Sequence, residues 1–283
     1  MAVDPEKLRH FHIAPRHQTI SAHDAILYAL SVGLGSDPLD TRQLDFVDHH
    51  RALKVMPAMA VVLAYPGFWL GDPATGVDAV RLVHGEQGII WHAPMPIGAE
   101  MVGRTRVVGL ADKGPGKGAL LYTEKTLHLR ETDALLATCT STTFLRGDGG
   151  FGGVSDPVKP AQPAPEGTPD HIVDLPTRPE QALYYRLNGD DNPLHADPEI
   201  AAKAGFARPI LHGLCTLGVV THALLRALSD YDTNRLKALD LRFSAPVYPG
   251  ETIRTEIWAD GGFRARVVER DVIVVNNGKV LVS

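Results

Sequence analysis

The sequence predicts an α+β fold made from one unit used twice. Two pairs of similar stretches point to the duplication. Ala93-Pro94-Met95-Pro96-Ile97-Gly98 parallels Ala245-Pro246-Val247-Tyr248-Pro249-Gly250 at a spacing of 245 − 93 = 152, and residues 24–30 (DAILYAL) parallel residues 181–187 (QALYYRL). The third observation is order. Each half opens with a capped helix, continues through a buried apolar stretch and ends in β-branched runs that read as antiparallel strands. Two copies make a duplication, not a solenoid.

In the first half, Ser21-Ala22-His23-Asp24 is a capping-box signal with Asp in the reciprocal position. Ile26, Leu27 and Leu30 then lie on one helix face, and Gly33 and Gly35 can stop the helix. Residues 56–64, closed by Pro66-Gly67, read as a second, buried helix. Strands are expected from Val83 onward, through HGEQ (84–87), GIIWHAPMPIGAEM, AEMVGRTRVVGL, GALLYTEKTLHLR and ALLATCTSTTFLR. Asp112-Lys113-Gly114-Pro115-Gly116 forms a hairpin turn, and Lys117 and Lys125 read as solvated strand charges.

Residues 147–180 carry GDGGFGG and then Pro157, Pro160, Pro163, Pro165, Pro169, Pro176 and Pro179. That density favours an extended crossing segment over packed secondary structure. The expected domains are therefore 1–146 and 181–283, with 147–180 as linker. The pattern then restarts. Thr177-Arg178-Pro179-Glu180 reads as a capping box for a helix over 182–187, ended by Asn188-Gly189. Asp197-Pro198 caps a short helix that runs to Gly205. Residues 211–228 form a long apolar helix through Leu214, Leu217, Val220, Leu224 and Leu228. Leu239, Leu241 and Phe243 alternate with polar neighbours, as do Ile253, Thr255 and Ile257. Asn276-Asn277-Gly278 is a hairpin signal between DVIVV and KVLVS.

Composition bounds the function. The chain has 283 residues, 44% of them apolar, which supports two ordinary domains with a sizeable core. A formal net charge of −5 argues against a general affinity for nucleic acid or an anionic membrane. Cys139 and Cys215 are too few for a disulfide framework and suit a reducing compartment. The N-terminal MAVDPEKLRHFH has no apolar signal core, no stretch reaches the length of a membrane span, and Val282-Ser283 is not an SKL-type address. A cytoplasmic location is the expectation.

The chemistry-bearing segment runs from Tyr185 to Gly213. In Gly189-Asp190-Asp191-Asn192-Pro193-Leu194-His195, Gly189 permits a sharp departure from the preceding helix, and Pro193 biases Asn192 toward an extended backbone. Such a loop can hold Asp190 near His195, and a carboxylate beside an imidazole can position and activate water. A capped polar turn is the bland alternative, but a plain turn does not need His195 and a second His-Gly downstream. That pair, His212-Gly213, opens the long helix. Its unpaired N–H groups and positive dipole end suit an oxygen that gains negative charge. The rival is a glycine chosen for close helix packing. A metal site on Asp190, Asp191, His195 and His212 matches no familiar ligand spacing, so no metal is expected. The first copy reads Ser31-Val32-Gly33 after Leu30 and lacks the acid and histidine. If chemistry lives on this segment, only the C-terminal half performs it.

These residues resemble the signature of the MaoC-like, or hydratase 2, family: an aromatic, then S/T-G-D-x-N-P-aliphatic-H, then a helix opening in H-G. Tyr185, Gly189, Asp190, Asn192, Pro193, Leu194, His195, His212 and Gly213 match, and Asn188 stands where Ser is usual. HGEQ, the Asp112-Lys113-Gly114 turn, GGFGG and AKAGF…PILHGLCTLG are similar to the eukaryotic-type (R)-specific 2-enoyl-CoA hydratases of that family, which occur alone or as a domain of peroxisomal multifunctional enzyme type 2. The resemblance covers nearly the whole chain. It implies a double hot-dog fold, two long helices each wrapped by an antiparallel sheet, with the first half housing a bulky acyl chain. It implies reversible hydration of a trans-2-enoyl-CoA to a (3R)-3-hydroxyacyl-CoA by a hydro-lyase. Asp190 and His195 would handle the water, Gly213 would donate its N–H to the thioester oxygen, and Asn192 would orient the loop. His84, Gly85, Lys113 and Phe243 match positions that contact the acyl-CoA, as do Asp191, Asn192, Pro193 and Leu194 on the loop. The expected partner is the acyl-CoA substrate, with no cofactor beyond the CoA it carries, and the expected assembly is a homodimer. Two alternatives keep the fold or the ligand: a thioesterase or acyl-carrier dehydratase, and a non-catalytic acyl-CoA-binding module.

Overall fold

The computed structural model describes residues 3–152 and 155–283. Met1 and Ala2 of the N-terminal stretch, and Gly153, the last glycine of GGFGG, lie outside the described residues. In chain order the first half holds α1 (Pro5–Arg9), β1 (Arg16–Thr19), α2 (Ala22–Ser31), α3 (Leu44–Val47), β2 (Leu82–Trp91), β3 (Glu100–Asp112), β4 (Ala119–Leu129) and β5 (Leu135–Leu145). The second holds β6 (His171–Pro176), α4 (Gln181–Tyr185), α5 (Pro198–Lys203), α6 (Gly213–Leu228), β7 (Leu236–Phe243), β8 (Thr252–Ile257), β9 (Gly262–Val267) and β10 (Val272–Val282).

All ten strands join one antiparallel sheet in the order β1-β3-β4-β5-β2-β7-β10-β9-β8-β6. Taken from the two edges inward, β1-β3-β4-β5-β2 mirrors β6-β8-β9-β10-β7. The two halves meet at β2 and β7, where Gly88 faces Asp240. Their separation, 240 − 88 = 152, equals the repeat spacing, so a pseudo-twofold axis passes between them. The helices obey the same symmetry at a spacing of 157. Tyr28 and Tyr185 face each other with ring centroids 5.9 Å apart, and Asn188 Nδ2 donates to Ser31 Oγ at 3.1 Å. Residues equivalent by repeat thus meet across the axis.

The core is centred on α6, whose residues from Cys215 to Leu225 are all buried. Tyr28, Phe46, Met56, Leu63, Ile89, Leu239, Ile253 and Phe263 belong to the same apolar cluster. Gly218 lets α2 come close, because a Cβ there would overlap Val32. The sheet wrapped on α6 gives the second half the expected hot-dog form. The Ser21 capping box is present, with Ser21 Oγ accepting from Asp24 N–H and Asp24 accepting from Ser21 N–H.

Several expectations are corrected. The buried stretch over 56–64 is not a long helix. It holds a 3-10 turn, Pro57–Val61, and leaves it through Ala64 at φ 47°. Only one of the two central helices is therefore long. Lys125 is not solvated: its Nζ lies inside the protein and donates to the carbonyls of Ala60, Val61 and Leu63 at 2.9, 2.8 and 2.6 Å. Carbonyls at a helix end lack intrahelical partners, and the ammonium supplies them. Burial draws this amine down to about 8. Asn276-Asn277-Gly278 is not a hairpin but a bulge inside the continuous strand β10. Asn276 pairs with Arg242 and Lys279 with Asp240, so one extra residue is accommodated, with Asn277 at φ 53°. The Thr177 capping box does not form. Thr177 Oγ1 donates to the Glu251 carbonyl and α4 has no side-chain cap. The 147–180 segment is not wholly extended and unpaired, since β6 pairs with β8 as the sheet edge. Strand β1 and strand β9 were not foreseen. The second has a legible signal, Phe263, Ala265 and Val267 alternating with Arg264 and Arg266.

Candidate active site

The loop from α4 to α6 carries the site. A 3-10 turn, Arg186–Asn188, prolongs α4 and ends at Gly189, whose φ of 108° suits glycine. Asn192 caps the next 3-10 turn, Pro193–His195, by accepting from Leu194 N–H at 3.0 Å. Arg186 Nη2 donates to the Asp191 carbonyl at 2.9 Å. Asn188, the departure from the family signature, donates to Ser31 of the first half as well as to the Tyr185 carbonyl. The loop is held at both ends and across the pseudo-axis.

This framework turns His195 inward, where 9% of it stays exposed. Its Nδ1–H donates to the Ile210 carbonyl at 2.8 Å, which leaves Nε2 as the free lone pair. His212 is buried deeper. Its Nε2–H donates to the Asp190 carbonyl at 3.1 Å, and its ring stacks on His195 at 3.7 Å. The Asp190 carboxylate and the two imidazoles bring a ligand-competent atom each within 4.8 Å of one another.

Burial is the main force on both imidazoles. It lowers His195 below its ordinary 6.5, against the Ile210 carbonyl and the Asp190 carboxylate, which favour the cation, while Arg186 adds to the lowering. It takes His212 to about 3, with His195 as the next cause. At neutral pH both rings are neutral. His195 can accept a proton at Nε2, whereas His212 serves as a fixed donor to the loop.

Gly213 is the first residue of α6. His212, at the N-cap, makes no side-chain hydrogen bond to the first-turn N–H groups. A Cβ on Gly213 would sit 3.5 Å from the Phe243 ring. Phe243 meets the edge of His84 at 5.1 Å. His84 Nε2–H donates to the Glu86 carbonyl at 3.1 Å, and burial lowers this imidazole to about 4, so it too is neutral. Gly85 leaves little room, with a built Cβ 3.3 Å from the Thr142 carbonyl. His84, Gly85 and Phe243 thus form one wall beside Gly213. Asp191, Asn192 and Pro193 are exposed on the loop and Leu194 is half-buried. Lys113 stands apart from the Asp190 cluster, exposed on the β3–β4 turn with its ammonium 5.1 Å over the Phe144 ring.

Two features escape sequence reasoning. The hydrogen bond from His212 to the Asp190 backbone spans 22 residues and has no local signal. Tyr65, from the first half, keeps part of its side chain exposed but lies within electrostatic reach of Asp190: desolvation of the phenol first, and then that carboxylate, raises it. Metal-ligand spacing also failed to show that Asp190, His195 and His212 would converge. That set could hold a metal ion, as could the surface group Asp48, His49 and His50. In the first set one nitrogen of each imidazole is already committed to a backbone carbonyl.

Comparison with known proteins decides the family. A family model described as the MFE-2 hydratase 2 N-terminal domain matches residues 19–147, and one described as a MaoC like domain matches residues 160–280. The chain is 39% identical to 3-hydroxyacyl-thioester dehydratase Y of Mycobacterium tuberculosis over 91% of its own length and 88% of that protein. The chain belongs to the MaoC-like hydratase 2 family. Within this family it is 37% identical to the peroxisomal enoyl-CoA hydratase 2 of Arabidopsis thaliana, over 93% of this chain and 88% of that one. The crystal structure of a MaoC-like dehydratase from Phytophthora capsici superposes with a TM-score of 0.86 at 32% identity, covering 98% of both chains. The MaoC-like half contains the whole Asp190–His195–Gly213 constellation and Phe243 of the wall, and the hydratase 2 N-terminal half supplies Tyr65, Ser31, His84 and Gly85.

Proposed function

We propose that this chain is an (R)-specific enoyl-CoA hydratase, a hydro-lyase that adds water reversibly to a trans-2-enoyl-CoA to give a (3R)-3-hydroxyacyl-CoA. One observation carries the reading. A neutral imidazole with a free Nε2 lies beside a carboxylate, next to a helix N-terminus that its own N-cap side chain does not cap. Water held between Asp190 and His195 donates a hydrogen to each, and its oxygen lone pair is left facing the substrate. The Gly213 N–H polarises the thioester oxygen, which makes C3 electrophilic and stabilises the enolate as the C–O bond forms. The collected proton then passes to C2, so one water is consumed and no electron changes hands. The chemistry requires no metal or redox cofactor. The reverse sequence is the dehydration named in the mycobacterial relative.

The acyl chain is assigned to the first half, whose central helix is cut to one short turn. A cytoplasmic location and a homodimer complete the proposal. Two buried free cysteines suit a reducing compartment, and cell fractionation that places the protein in an organelle would reject that part. Leu30, Leu183, Tyr184 and Leu187 are exposed on or beside the adjoining helices α2 and α4, an apolar face available to a second copy. Sedimentation at the mass of one chain would reject the dimer. Among the described residues no helix is long and apolar enough to cross a membrane.

The test of the activity is a rate. Asp190→Asn and His195→Gln should each lower hydration of a 2-enoyl-CoA by roughly 10²–10⁴-fold while leaving the folded state intact by circular dichroism. Near-normal turnover in either variant would remove that residue from the mechanism.

A further inference from the structure

A cavity of about 280 Å³ opens where the end of β2 meets the start of β7. Pro57, Trp91, Leu236 and Lys237 line it, with Lys54 and His92 alongside. The repeat spacing of 152 relates these positions to the active site. His84 corresponds to Leu236 (84 + 152), Gly85 to Lys237 (85 + 152), and Phe243 to Trp91 (243 − 152). Pro57 opens the first half's central turn as Gly213 opens α6. The cavity is therefore the first copy's counterpart of the active site.

Its chemistry has changed in an orderly way. Leu236 has no polar atom where His84 stood. Pro57 has no N–H to offer an oxyanion, and Trp91 Nε1–H donates to the Pro57 carbonyl at 2.9 Å. The Ser31-Val32-Gly33 stretch brings no acid or histidine. Catalysis is excluded, but the hollow remains and its rim is cationic. Lys237 Nζ donates to the Asn234 carbonyl at 2.7 Å and has no carboxylate partner among the described residues. Lys54 is shared with Asp45 at 3.0 Å.

We infer that this cavity is a second, non-catalytic site for an acyl-CoA. The apolar floor of Val55, Trp91 and Met95 would take the acyl and thioester end, and Lys237 and Lys54 would face the phosphates. The volume falls just below that of ordinary ligand pockets, roughly 300–1,000 Å³, so the nucleotide lies outside on the rim. The ligand class rests on the proposed hydratase activity, since the hollow descends from the same thioester site.

Calorimetric titration of the full chain with hexanoyl-CoA, which is saturated and cannot be hydrated, reads the stoichiometry. Two sites per chain are expected. Lys237 is exposed, so Lys237→Glu should leave the fold intact, weaken one class of site at least tenfold, and keep hydration at low substrate within twofold of wild type. One site per chain in a protein that hydrates enoyl-CoA normally overturns the second site alone. An altered dependence of turnover on acyl length in Lys237→Glu also overturns it, because the cavity would then belong to the catalytic acyl path. A protein that does not hydrate enoyl-CoA at all defeats the activity on which the ligand class rests.

Discussion

At the residue scale the account turns on the protonation of His195. The imidazole works as a base only while neutral. Burial lowers its pKa below 6.5 in the folded protein, so the neutral form persists further into acid than for a free histidine. Activity is therefore full at pH 7 and falls as pH drops through the lowered value. A kcat/KM profile should place its acid-side midpoint below 6.5, and a midpoint above 7 would contradict the assigned role. Asp190, His195 and Gly213 were legible in the sequence because a contiguous motif with fixed turn residues carries the first two and a His-Gly pair marks the third. The work of His212 was not, because its partner is a backbone carbonyl and its stacking depends on where the helix begins. Lys125 misled for a related reason. In an alternating strand a lysine reads as outward, and only the truncated turn at Pro57–Val61 and the residues just after it supply the three carbonyls that reward burying it.

At the element scale α6 is the piece on which the others converge. Its N-terminus faces the site and its middle packs on α2 through Gly218. A Cβ at Gly218 would overlap Val32 and lie 3.3 Å from Tyr28 Oη. Gly218→Ala should therefore destabilise the fold by about 1–3 kcal/mol, despite the better helix propensity of alanine. Chemical denaturation measures this, and an unchanged or higher midpoint would show that α2 yields freely. The long apolar run made α6 easy to foresee. Elements fixed by tertiary partners were harder. Asn276-Asn277-Gly278 has the composition of a two-residue hairpin, yet β7 and β9 pair along both sides of β10 and turn the same residues into a bulge. Thr177 and Glu180 have cap spacing, but the Glu251 carbonyl takes the Thr177 hydroxyl.

At the scale of the whole molecule, the duplication was visible in two spacings, 152 and 157, and the structure gives them a meaning. One relates the central strands and the other the helices that face each other across the pseudo-axis. That both halves share one ten-stranded sheet was not legible, since strand order between halves depends on the β2–β7 contact, and nothing local encodes it. The duplication also explains the asymmetry. The second half keeps acid, histidine and helix N-terminus, and the first keeps a hollow and contributes walls. The central claim, that Asp190, His195 and Gly213 form one hydrating site of fixed handedness, is tested most directly by product stereochemistry. Purified protein incubated with crotonyl-CoA should yield 3-hydroxybutyryl-CoA that is the 3R enantiomer on chiral analysis. A 3S or racemic product, or no hydration, would contradict the account.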